Sequence, residues 1–185
     1  MKVLMPLAEG FEEIEAITAV DILRRADIEI VVAGLKDGLV EGAHKIKMLP
    51  DTQLDRIDPS EFDGLVLPGG FPGFVNLGND DRILRMIKQM DKDGKYIAAI
   101  CAAPSVLIRA GIMKGRKATV SPSGKAEMEV NARYSEDRVV VDGRLITSQS
   151  PGTAMEFALK LVEVLAGKER MLQIKAQTIA ICQGD

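Results

Sequence analysis

Lys95-Tyr96-Ile97-Ala98-Ala99-Ile100-Cys101-Ala102-Ala103-Pro104 is the stretch whose reading decides the fold. A short run of small and apolar residues, entered from charge at Asp93 and Lys95, reads as a buried strand. Pro104 has a preset φ and no N–H, which suits the first position of a following helix. Cys101 then stands where a central strand turns into a helix, with its sulfur close to the free amides of the helix start. Such amides lower a thiol pKa from ~8.5 toward roughly 3.5–7.5. The alternative for a lone cysteine is service as a small buried hydrophobe.

Working outward, strand and helix patterns alternate. Strands are predicted at Lys2–Pro6, Glu29–Gly34, Gly64–Pro68 and Lys117–Val120, and helices at Glu12–Ala26, Asp80–Met90 and Pro104–Ala110. Gly38–Leu49 alternates weakly and reads as a hairpin-like excursion. Arg138–Thr147 reads as a β-hairpin with an Asp-Gly turn, and Thr153-Ala154-Met155-Glu156 as a capping box opening a helix to about Ala166. This order implies an α/β domain over residues 1–185, with a mostly parallel sheet, helices on both faces and ligands at the carboxyl ends of the strands.

Composition narrows the class. The 185 residues are 46% hydrophobic and 28% charged, with a net charge of −3 and dispersed Lys and Arg, which argues against nucleic-acid binding. Two distant cysteines, Cys101 and Cys182, and one histidine, His44, suit neither a disulfide framework nor a metal centre. Cys182 falls in a C-terminal tail with no activating feature. The first residues enter a strand without a signal-peptide core, and no apolar run approaches the ~20 residues of a membrane span, so the expectation is a cytoplasmic protein without a membrane partner, metal or cofactor.

Two further features converge on the strand ends. Glu15, Ala19, Ile22 and Ala26 share one face of the first helix, so Glu15 is the one acid on an apolar stripe turned to the sheet. Loss of hydration raises the pKa of such a carboxyl and lets it pass a proton to a sulfur or oxyanion. A first-turn acid that stabilises the helix dipole is the rival reading, and it serves Glu12 and Glu13 better than Glu15. Leu67-Pro68-Gly69-Gly70-Phe71-Pro72-Gly73 exposes amides directly after a strand and could hold an oxyanion. A phosphate loop is disfavoured by its spacing and by Pro72, whereas a plain turn remains open.

Several motifs in order complete the pattern: 8–15 (Ala-Glu-Gly-Phe-Glu-Glu-Ile-Glu), 20–26, 66–70, 98–104, 147–153 (Thr-Ser-Gln-Ser-Pro-Gly-Thr) and 156–159. On these the chain resembles the ThiJ/PfpI superfamily, and within it the DJ-one clade. The resemblance implies a flavodoxin-like sandwich, related to the class I glutamine amidotransferase domains, and a homodimer. It also implies a pocket with Cys101 as nucleophile, Glu15 sharing its proton, and the Gly70 and Ala102 amides, flanked by Gly69, as oxyanion site. Ile14, Ile17 and Asp21, opposite the Glu15 stripe, are the candidate dimer face.

The chain departs from the superfamily at two places. Ala102 stands where peptidase-type members have a histidine, which disfavours a peptidase or amidase. Ser121 precedes Pro122 where many relatives carry a pocket histidine. The serine can donate a hydrogen bond or hold a water but cannot act as a base, and His44 is expected at a surface or dimer edge. The resemblance thus implies a cysteine-dependent glyoxalase or deglycase acting on small aldehydes such as methylglyoxal and glyoxal, with low activity. The alternative is an oxidation-sensing stress protein or chaperone that uses a Cys101 sulfinate.

Overall fold

A computed structural model describes residues 1–181, so the expectation for Cys182 lies outside the described residues. The central sheet is built from β1 (Lys2–Leu7), β2 (Glu29–Gly34), β5 (Thr52–Gln53), β6 (Gly64–Leu67), β7 (Tyr96–Ile100), β10 (Val139–Asp142) and β11 (Leu145–Ser148). Two strands between β2 and β5, β3 (Val40–Glu41) and β4 (Lys47–Met48), pair antiparallel outside that sheet and form the expected excursion. The sheet order is β10-β11-β7-β6-β1-β2-β5. Its five inner strands are parallel, in the flavodoxin order 2-1-3-4-5, and β10 is an antiparallel edge. Asp142 pairs with Leu145, so the hairpin turn centres on Gly143-Arg144, with Gly143 at φ +62°, rather than on the Asp-Gly pair.

Strand alternation divides the core. Val3, Met5 and Leu7 of β1 and Ala98 and Ile100 of β7 face one side of the sheet, where α1 (Glu13–Arg25), α6 (Ala154–Ala166) and α7 (Lys168–Thr178) pack. Leu4, Ile97 and Ala99 face the other side, covered by α2 (Gly73–Asn79), α3 (Asp81–Lys92) and α4 (Pro104–Arg109). Helix α1 buries Ala16, Ala19, Val20, Ile22 and Leu23. Each fully buried Ile or Leu of this kind contributes about 1.5–3 kcal/mol. Arg24 and Arg25 close the helix at the negative end of its dipole.

The predicted strand at Lys117–Val120 shortens to β8 (Lys117–Ala118), which pairs with β9 (Arg133–Tyr134) in a separate two-stranded sheet. Helix α5 (Lys125–Asn131) lies between them. The capping box at Thr153 does not form. Thr153 is the N-cap residue of α6, but its Oγ1 contacts Ser148 Oγ (2.6 Å), accepts from Ser150 N (3.1 Å) and donates to Ser150 O (2.9 Å). Glu156 instead binds Arg138 Nε through both oxygens (3.0 and 2.9 Å). Among the described residues no helix is long and apolar enough to cross a membrane.

Candidate active site

The carboxyl ends of β1, β6 and β7 meet where the strand order reverses, and three turns bring their residues together. After β7 the chain passes through Cys101 at φ +64°, a left-handed conformation costly for a residue with a Cβ. Two hydrogen bonds hold it there: Cys101 N to Ser148 O (3.0 Å) and Ser121 N to Cys101 O (2.8 Å). The result is a half-buried thiol standing at the corner before α4.

After β6, Gly69 and Gly70 allow the closest approach in the site. A Cβ on Gly69 would lie 2.7 Å from Cys101 Cβ and 2.8 Å from Glu15 Oε2, so only glycine fits between these two side chains. Gly70 sits at φ +93° with its Cα against the backbone of residues 10–12. Its amide and that of Ala102 point at the Cys101 sulfur. Phe71, next in the turn, is exposed beside Phe74.

Glu15 enters from the first turn of α1 and is 1% exposed. Its Oε2 accepts from Gly69 N (2.8 Å), whereas Oε1 is buried with no hydrogen-bond partner. Burial raises its pKa to about 7, against the lowering effect of the Gly69 amide and of its contact with the Cys101 thiol. This is the direction expected for an acid on the sheet-facing stripe.

The thiol itself corrects an expectation. Burial, then the facing Glu15 carboxylate, push Cys101 up to about 12, and the Ala102 and Gly70 amides offset only part of this. The helix-start argument accounts for neither the Gly70 amide, which comes from the turn after β6, nor the dehydration of the sulfur. Two anions cannot coexist here, so Glu15 and Cys101 titrate as a pair with one proton between them in the neutral range.

Glu12 and Glu13 stand at the start of α1 as the sequence reading has them, Glu12 at the N-cap and Glu13 in the first turn, but they are not surface acids. Both are buried, at 6% and 3% exposure. Glu12 is the N-cap residue of α1, its Oε2 accepting from Glu15 N (2.8 Å). Glu13 clamps the β3–β4 hairpin: Oε1 accepts from His44 N (2.7 Å) and Ile46 N (3.3 Å), and Oε2 contacts His44 Nδ1 (2.9 Å). Burial pushes the Glu13 carboxyl up, but these hydrogen bonds outweigh it and hold the group below the usual carboxylate range. Glu12, Glu13 and His44 gather ligand-type atoms within 4.8 Å, yet three of the four carboxylate oxygens already accept hydrogen bonds. His44 is exposed and belongs to this clamp. Ser121 lies beside Cys101 through its backbone, and its hydroxyl pairs with Ser123 Oγ (3.1 Å).

A cleft of about 350 Å³ opens between Leu7, Leu35, Val40 and Arg82, but Cys101 is not in its walls.

The DJ-1/PfpI family model matches residues 1–164. Protein dj-1beta of Drosophila melanogaster is 45% identical over 173 residues, spanning 92% of each chain. The crystal structure of Drosophila melanogaster DJ-1beta superposes with a TM-score of 0.94 at 43% identity, covering 98% of both chains. The glutathione-independent glyoxalase DJR-1.2 of Caenorhabditis elegans is 40% identical over 169 residues, 91% of this chain and 89% of that one. Deglycase TK1284 of Thermococcus kodakarensis is 36% identical over 167 residues, 89% of this chain and 99% of its own length. The family match runs from β1 into α6 and takes in every strand of the sheet: the chain belongs to the DJ-1/PfpI family.

Proposed function

We propose that this protein is a cysteine-dependent glyoxalase of the glutathione-independent type, acting on methylglyoxal, glyoxal or their early adducts. The observation that carries this is the Glu15–Cys101 pair: a buried carboxyl raised to about 7, facing a thiol across Gly69, with two amides aimed at the sulfur. The relatives named glyoxalase and deglycase support the same substrate class.

The pair supplies both halves of the chemistry. With the proton on Glu15, Cys101 is a thiolate and adds to the aldehyde carbon; Glu15 gives its proton to the new alkoxide, which the Gly70 and Ala102 amides stabilise. Glu15 is now a carboxylate and removes the hydrogen from that carbon, leaving an enediolate; the hydroxyl proton passes from the first oxygen to the second, and Glu15 returns its proton to the adjacent carbon. The product is a 2-hydroxyacyl thioester on Cys101. Water hydrolyses it to the hydroxy acid and restores the thiol, so aldehyde plus water balances with no external oxidant or reductant. The thiolate is the minority form of a pair in which the thiol is the weaker acid, so turnover is slow. Ser121 holds a water or donates to the oxyanion in this scheme.

The protein works as a cytoplasmic homodimer in this reading, with the exposed Ile14 and Ile17 of α1 supporting a partner contact. The experiment is hydroxy-acid release from methylglyoxal and glyoxal by wild type, Cys101→Ser and Glu15→Gln. Release is expected from wild type alone; equal release from Cys101→Ser refutes the assignment. Absence of release from wild type, with stoichiometric sulfinate formation at Cys101, gives the site to oxidation sensing instead.

A further inference from the structure

Glu12 does more at this site than end a helix. Three hydrogen bonds close a ring between α1 and the turn after β6: Glu12 N donates to Gly69 O (3.0 Å), Gly69 N to Glu15 Oε2 (2.8 Å), and Glu15 N to Glu12 Oε2 (2.8 Å). The Glu12 carboxylate therefore fixes the backbone that carries Glu15, and the Glu12 amide fixes the carbonyl side of the peptide group whose next amide, Gly70, points at the sulfur. The close approach of Gly70 to residues 10–12 locks the same contact from the other side.

Among the described residues the one nearby cationic partner of Glu12 is an exposed imidazole. The titratable groups that face Glu12 are Glu13 and Glu15 on its own helix and His44 on the β3–β4 hairpin. The imidazole Nδ1 is 3.8 Å from Glu12 Oε1 but 2.9 Å from Glu13 Oε2, and the His44 side chain is largely exposed. Among the described residues no Lys or Arg pairs with Glu12 or Glu15. A buried anion one hydrogen bond from Glu15 opposes a second charge there.

We propose that Glu12 is a positioning residue of the Cys101 site: its carboxylate orients Glu15 through the capped amide, and its buried charge biases the shared proton toward Glu15 and so toward the Cys101 thiolate. The effect on Glu15 is directional: Glu12 is among the groups that raise the Glu15 carboxyl and is not among those that act on Cys101. The inference rests on Glu15 and Cys101 sharing a proton, and not on the identity of the substrate.

The test is the rate of Cys101 carboxamidomethylation by iodoacetamide, read on the Cys101 peptide from pH 5 to 10, in wild type, Glu12→Gln, Glu12→Asp and Glu15→Gln. Glu12→Gln keeps an oxygen to accept from the Glu15 amide but removes the charge. Its acid limb is expected to move about half a pH unit lower, and its plateau rate to fall about threefold, because both report the same loss of bias toward protonated Glu15. Glu12→Asp keeps charge and cap and is expected to restore the wild-type midpoint. A wild-type profile in Glu12→Gln overturns the proposal. So does a lower plateau with an unmoved midpoint, which is what loosened packing alone produces. Glu15→Gln separates the premise: its limb near neutrality should vanish, and a limb that persists refutes the shared proton itself. Methylglyoxal turnover plays no part, so failure of the glyoxalase reading leaves this result standing.

Discussion

Glu15→Gln should change how the stability of the fold depends on pH. Glu15 has a carboxyl near 4.5 in the unfolded chain and about 7 in the fold, chiefly through burial. Because the folded value is the higher, the native state holds the proton more tightly. Its contribution is fully present below about pH 4.5 and is lost as pH rises to and through 7. The interval corresponds to about 3 kcal/mol between pH 4.5 and 8, at 1.36 kcal/mol per pH unit, with no further change above the folded value. Glutamine has the same shape, keeps an acceptor for Gly69 N, and carries no proton equilibrium. The difference in unfolding free energy between variant and wild type should therefore move by about 3 kcal/mol in favour of Glu15→Gln from pH 4.5 to pH 8. Urea titrations at four pH values measure this, and taking the difference between two proteins cancels the other carboxylates. For a chain of this length the same change is roughly 6–12 °C in Tm. A difference constant with pH would mean that Glu15 ionises normally in the fold, and the pair chemistry would lose its basis.

Gly69→Ala should place a methyl 2.7 Å from Cys101 Cβ and 2.8 Å from Glu15 Oε2, costing about 1–3 kcal/mol of stability and most of the Cys101 alkylation rate; denaturant titration and peptide mapping check both. Ser121→His should raise methylglyoxal turnover and add a limb near ~6.5 to a pH–rate profile otherwise set by Glu15 and Cys101. An unchanged rate would show that a base is not what limits the enzyme. The Glu13 side chain raises the His44 pKa, so the clamp on the hairpin is strongest below the ordinary imidazole value and weakens as pH rises through the raised one. Hydrogen exchange of amides 42–46, corrected for intrinsic rate, should accelerate across that window in wild type and not in His44→Ala.

Much of the sheet was legible because its inner strands are continuous apolar runs, and the strand-to-helix corner at Cys101 is marked by Pro104 alone. Glu15 was legible too, since helical spacing puts it on the buried stripe with Ala19 and Ile22. Glu12 and Glu13 are acids of the helix start, but their burial is not legible in the local sequence. Local sequence shows two acids at a helix start, but what buries them is the hairpin around His44 and the turn at Gly69, thirty and more positions away. The Cys101 thiol departs from expectation in the same manner: of the groups that act on it only the Ala102 amide is a neighbour in sequence, whereas the Gly70 amide, the burial and the Glu15 charge are supplied by the fold. Thr153 had the spacing of a capping box but is drawn into contact with Ser148, which only the end of β11 supplies. Helix α2 hid behind Gly73 and Gly78, and α7 buries only Ile174, leaving little periodic pattern to read.

The most direct measurement of the central claim is mass mapping of the Cys101 peptide after methylglyoxal is added to Glu15→Gln, alongside hydroxy-acid release by wild type. If Cys101 adds to the aldehyde and Glu15 moves the proton, the variant accumulates a hemithioacetal on Cys101 and releases nothing, while wild type releases hydroxy acid and shows no standing adduct. Hydroxy-acid release by Glu15→Gln at the wild-type rate, or an adduct found on lysines and arginines but not on Cys101, would contradict it.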